Sequence, residues 1–158
     1  MGRNGNFSFI FRALQSPNYR LFFGGQLVSL VGTWLTLTAT SWLVRGLVPD
    51  QSPGHIAAVL GVVGFASQIP IFLLAPFAGV WIDRLNKHRI IVVTQILSMM
   101  QSFALAFLAL RHIITIPEII ALNAFQGLVN AIDIPSRQAF VVQMIENRDD
   151  LSNGIALN

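Results

Sequence analysis

Apolar residues arrive along this chain in long runs, without the three-to-four-residue or two-residue periods of a half-buried helix or strand. Four runs reach the roughly 20 predominantly apolar residues that a helix needs to cross a bilayer. They cover residues 21–44, 56–82, 90–110 and 117–140, the last being most apolar up to Ile134 and expected to continue past Pro135 towards Phe140. Pro117 suits the first turn of a helix, where its missing N–H leaves nothing unsatisfied. The pattern predicts an all-α membrane protein whose apolar surroundings are supplied by the bilayer itself.

Polar residues inside the runs are spaced for helices. In the first span Gln26, Ser29, Thr33, Thr36 and Thr40 recur at alternating three- and four-residue steps, which places them on one face. Asn123, Gln126, Asn130, Asp133 and Arg137 do the same in the fourth. Polar side chains are costly in hydrocarbon and turn to a bundle interior or a water-filled cavity. Gln26, Ser29, Thr33, Thr36, Asn123, Gln126 and Asn130 are therefore candidates to line a solute pathway. Hydrogen bonding between helices uses the same residue types and stays open as the alternative. The amides of the fourth span favour the cavity, because they are expected to bond poorly to their own helix.

Asp133 and Arg137 have the i, i+4 spacing of a salt bridge and flank Pro135 near one end of the fourth span. A charge at the membrane centre costs about 2.5–3.5 kcal/mol on insertion scales, which argues for an ion pair at the headgroup boundary. They are also candidates for a cytoplasmic gate. The second span carries Gly61, Gly64, Ala75 and Gly79 with Pro70 and Pro76. Small residues let helices approach closely and prolines bend them, which fits either a moving interface or plain tight packing. The third span, with Gln95, Ser98, Gln101 and Ser102 among aliphatics, is expected to be peripheral. Trp34, Trp42 and Trp81 are expected to serve in packing and as interfacial anchors.

Composition reinforces the membrane reading: 54% of the 158 residues are hydrophobic and 11% charged, against about 25% charged in an average soluble domain. With no cysteine, disulfides and thiolate metal sites are excluded. A net charge of +3 does not point to nucleic acid, because the basic residues are scattered between apolar spans and form no dense patch. They report topology instead. Alternate loops place Arg3, Arg12, Arg20, Arg84, Lys87, Arg89, Arg137 and Arg148 on one side and only Arg45 and Arg111 on the other. Short-loop lysines and arginines favour the cytoplasm, so the amino terminus (residues 1–20) and the 83–89 loop are expected there. Residues 1–20 lack the pattern of a cleaved signal peptide and would form an interfacial segment or a tail. His55, His88 and His112 fall in or beside different loops, His88 opposite to the other two, and no nucleophile–base arrangement is present. Neither an enzyme nor a cofactor is expected.

The loop after the second span reads Gly79-Val-Trp-Ile-Asp83-Arg84-Leu-Asn-Lys87-His-Arg89. A glycine one turn before an aspartate permits close packing of a neighbouring helix, and a carboxylate at a helix end can meet an arginine or another helix's positive amino end. The order Gly-x-x-x-Asp-Arg-x-x-Lys-x-Arg between spans two and three resembles motif A of the major facilitator superfamily. Asn123-Ala-Phe-Gln126-Gly127 resembles the superfamily's fourth-helix motif, with Asn123 where an arginine is usual. Ser16 to Phe22, Ala66 to Pro70, Ile134 to Phe140 and Asp150 to Asn153 are similar to the branch that includes bacterial enterobactin exporters and drug-efflux permeases.

That resemblance implies a twelve-helix secondary transporter of two six-helix halves, with helices one and four of each half lining a central cavity. This chain would supply four helices of the amino-terminal half-bundle, with 146–158 a cytoplasmic loop and the start of a truncated fifth helix. It implies a multi-pass protein of the bacterial inner membrane that exports small amphipathic molecules such as siderophores or drugs by alternating access. Its partners would be a small-molecule substrate, the lipid bilayer and the missing remainder of the transporter, and the fragment would be inactive alone. Gly79, Asp83, Arg84, Lys87 and Arg89 would form the gating motif, Asp83 engaging the amino end of a second-half helix. Proton coupling is compatible with the family, but Asn123 in place of the arginine weakens that expectation. The competing reading is a self-contained four-span protein that oligomerises into a pore or small multidrug exporter.

Overall fold

The computed structural model describes residues 17–49, 52–83 and 85–144. Residues 1–16 of the expected amino-terminal segment 1–20, Arg84 and the 146–158 segment lie outside the described residues, whereas residues 17–20 belong to the first helix. Four helices follow one another: α1 (Pro17–Leu47), α2 (Pro53–Asp83), α3 (Lys87–Leu110) and α4 (Ile116–Met144), with no strand among the described residues. The protein is an all-α membrane protein.

The helix ends follow from local chemistry. Pro17 and Pro53 begin α1 and α2, where a missing N–H costs nothing. Ahead of α2 the Ser52 hydroxyl accepts from His55 N at 3.4 Å, and ahead of α3 Asn86 Oδ1 accepts from Arg89 N at 3.2 Å. Thr115-Ile-Pro-Glu118 opens α4 with half of a capping box, Glu118 Oε2 accepting from Thr115 N at 2.8 Å. The end of α3 is closed by His112 at φ 56°, with His112 N donating to Ala109 O and Ile113 N to Leu108 O. This is the paired bonding of a Schellman ending, with histidine in the left-handed position usually given to glycine. Prolines 70, 76 and 135 sit inside helices that continue through them.

α1, α2 and α3 are long and apolar enough to cross a membrane. α4, although expected to span, is not in that class. Its polar face of Asn123, Gln126, Asn130, Asp133 and Arg137, together with Glu118, lowers its apolarity while its length still suffices. A helix of this kind needs protein or water along that face.

The chain divides into two compact units, residues 34–136 and a second made of residues 1–33 with 137–158. In the larger unit Val44 and Val48 at the end of α1, Val63 of α2, Leu105 of α3 and Ile114 and Ile119 at the start of α4 form one buried apolar cluster. At its other end Thr94, Ala131, Asp133 and Ser136 are buried. In the smaller unit Phe22 and Phe140 meet edge to face with ring centroids 5.7 Å apart, beside the buried Val141.

Two expectations on packing are corrected. α3 is not merely peripheral, since Thr94, Gln101 and Leu105 are buried. Trp34, Trp42 and Trp81 are about two-thirds exposed and pack no interior, which suits the interfacial role for Trp42 and Trp81 near helix ends.

Candidate functional site

The close helix approach is made by Gly127, not by the glycines of α2. A Cβ at Gly127 would lie 2.2 Å from Ser67 O and 2.9 Å from Ser67 C, so the α4 and α2 backbones touch there. At Gly61, Gly64 and Gly79 a Cβ would meet nothing within 4 Å. The Ser67 hydroxyl donates to Gly64 O at 2.8 Å within its own helix, so the contact is one of backbone shape and not of side-chain bonding.

Around this contact the polar face of α4 is tied to α3. Gln126 Nε2 uses its two N–H groups on Ser98 Oγ and Asn130 Oδ1, each at 3.0 Å. Further along, the Thr94 hydroxyl donates to Asp133 Oδ1 at 2.5 Å and lies 2.9 Å from Ile91 O. Asp133 is thus buried and hydrogen-bonded within the chain. Asn123 Nδ2 donates to Ile119 O at 2.9 Å. That bond corrects the expectation that these amides bond poorly to their own helix: Asn123 reaches the carbonyl one turn back.

The α1 candidates divide between the units. In the smaller, the Thr33 hydroxyl donates to Ser29 O at 3.1 Å, and Gln26 Oε1 is buried without a hydrogen-bond partner among the described residues. Arg137 is buried in that unit. In the larger, Thr36 is half-buried and Thr40 buried. Thr38 and Ser41 on another face return their hydroxyls to Trp34 O and Leu37 O, which leaves them no demand on a neighbour.

The connection from α2 to α3 is short. Asp83 is the last residue of α2 and Lys87 the first of α3, with Leu85 N donating to Ile82 O inside the turn. Arg89 is exposed in the first turn of α3. Lys87 and Arg89 therefore sit at a helix amino end, where the dipole is already positive, and Asp83 sits at a carboxyl end, where it is negative. Neither placement is explained by the stability of its own helix.

The family model described as transmembrane secretion effector, of the major facilitator superfamily, matches residues 10–158. The chain belongs to that family. A staphyloferrin A transporter of Staphylococcus aureus (strain NCTC 8325 / PS 47) is 28% identical over 123 residues, which cover 77% of this chain and 30% of the relative. The chain thus spans about 30% of the length of that relative. No solved structure matches. As a member of that family it is a multi-pass membrane protein, which fits three apolar helices and a fourth with a polar face.

Within the chain, Ser98, Thr94 and Ser67 are the residues that sequence reasoning undervalued. Ser98 and Thr94 meet α4 through single hydroxyls set in an aliphatic helix, too sparse to make a stripe. Ser67 acts through its backbone, which no side-chain pattern reports.

Proposed function

We propose that the chain supplies the first four transmembrane helices of a secondary active exporter that moves small amphipathic molecules, such as siderophores or drugs, out of a bacterial cell by alternating access. The observation that carries this reading is the secretion-effector match along residues 10–158, joined to polar faces on α1 and α4. Gln26, Ser29, Thr33 and Thr36 on α1 and Asn123, Gln126 and Asn130 on α4 would edge the pathway. The bond from Gln126 to Ser98 would hold that wall in register. The eight-to-two sorting of basic residues supports a cytoplasmic amino terminus in the plasma membrane.

Alternating access in such proteins is a rocking of two repeats around a midplane site. Asp83, at the carboxyl end of α2, would bind the positive amino end of a helix in the second half, with Gly79 admitting that helix and Arg84, Lys87 and Arg89 completing the charge network. The open space at Gly79 supports this, since room for a neighbour is present there. Asp133 and Arg137 would serve as a gate at the cytoplasmic end. The chain alone would not transport.

The test is export measured for the complete reading frame in a host stripped of its own efflux systems, with the 158-residue chain as control. Asp83→Asn should lower the export rate at least about fivefold, the low end of ordinary conformational coupling, with the protein still reaching the membrane. Unimpaired export by that variant would remove the gating role. Transport by the isolated chain would overturn the part-transporter reading in favour of a self-contained oligomer.

A further inference from the structure

On the flank of the 34–136 unit a groove of about 350 Å³ runs between α3 and α4. Val93 and Leu97 line it from α3, Phe125, Leu128 and Ile132 from α4, and Arg89 joins the lining at the first turn of α3. The pairings of Thr94 with Asp133 and of Ser98 with Gln126 show that the two helices run antiparallel. Arg89 and Ile132 therefore lie at one end and Leu97 and Phe125 at the other, roughly 12 Å away at 1.5 Å per residue. Val93, Phe125, Leu128 and Ile132 remain exposed, so the groove opens outward. Thr94 is the polar residue of its floor, and its hydroxyl is committed to Asp133 and Ile91. An occupant must be apolar along the groove and is offered positive charge at one end.

That charge is concentrated. Lys87 and Arg89 share the first turn of α3, which holds no acidic residue and carries the positive end of a 24-residue helix. As the end of a helix long and apolar enough to span a bilayer, it would stand at the headgroups, with the groove leading from it towards the bilayer interior. A molecule with an anionic head at the interface and a hydrocarbon tail along the helix matches both parts. A soluble anion has no use for the apolar part, and in a zwitterionic lipid the headgroup ammonium offsets the phosphate charge that Arg89 would meet.

We propose that this groove binds one acyl chain of an anionic phospholipid, with the headgroup phosphate held by Arg89 and Lys87 at the amino end of α3. The inference adds a lipid partner to Lys87 and Arg89, the same two side chains that the proposed function places in the gating charge network. It gives Arg89 a ligand in the membrane itself.

The full chain is reconstituted in nanodiscs of equimolar phosphatidylglycerol and phosphatidylcholine, one lipid at a time carrying a photoactivatable acyl chain, and labelled peptides are mapped. The expected result is labelling within 89–97 and 125–132 that favours phosphatidylglycerol about fivefold, as for one basic residue at an anionic surface. Arg89→Gln should abolish the preference, Arg89→Lys should retain it, and Leu128→Trp, which fills the groove, should reduce labelling by both lipids. Equal labelling by the two lipids would identify ordinary annular lipid and overturn the proposal. Labelling absent from these segments would mean that another helix covers the groove, with the same consequence. Displacement of the label by inorganic phosphate would show a phosphate site and likewise refute it. The comparison of lipids on the unmutated protein remains decisive if the Arg89 variants fail to fold.

Discussion

Replacing Gly127 by alanine tests the close backbone contact between α2 and α4. The new Cβ would lie 2.2 Å from Ser67 O, 2.9 Å from Ser67 C and 3.1 Å from Ser67 Cα, all backbone atoms that no rotamer change can remove. Ordinary contact begins near 3.4 Å, so α2 and α4 must separate by about 1.2 Å along that line. Overpacking of this kind costs about 1–3 kcal/mol, and the separation also weakens dispersion contacts on either side. Alanine returns up to about 1 kcal/mol of helix propensity, which leaves a net loss of roughly 1 kcal/mol. The assay is reversible unfolding of the chain in mixed micelles, followed by helical circular dichroism, with Gly61→Ala as control. Gly61 faces open space, so its substitution should be neutral or stabilising by up to about 1 kcal/mol. A Gly127→Ala protein as stable as the control would refute the backbone contact.

Three further outcomes are expected from the same unfolding measurement. Thr94→Val should destabilise by about 1–3 kcal/mol, because it strips a donor from the buried Asp133 carboxylate, whereas Thr94→Ser should keep most of the stability. A double-mutant cycle with Gln126→Leu and Ser98→Ala should give a coupling of about 0.6 kcal/mol, the average for polar pairs between membrane helices, and strict additivity would count against the bond. His112→Gly should stabilise by about 1 kcal/mol, since it relieves a side chain held at φ 56°, and a loss of stability would show that the imidazole has a role the backbone does not reveal.

Some of the site was legible before any coordinates. The alternating three- and four-residue steps of Asn123, Gln126 and Asn130 place them on one helix face because an α-helix turns every 3.6 residues. Their engagements were not legible. Gln126 reaches Ser98 while Asn123 turns back to Ile119 O, although the two residues look equivalent in sequence. Glycine counting pointed to α2, where Gly61, Gly64 and Gly79 meet open space, and away from Gly127, whose partner is the backbone of Ser67. The Thr115–Glu118 half of a capping box was not read from the sequence, although its T-x-x-E spacing is the usual signature.

The sequence by itself determined the class of protein and the order of its four helices, whose ends lie up to four residues beyond the apolar runs. A bilayer demands long apolar runs with their backbone bonds satisfied internally, so each span can be read without knowledge of its neighbours. Only the tertiary structure decided that Gly127 is the contact glycine, that Thr94 holds Asp133 and that α3 and α4 flank an apolar groove ending at Arg89. Periodicity assigns a residue to a face. Which helix meets that face depends on packing between segments distant in the chain, and no local pattern records it.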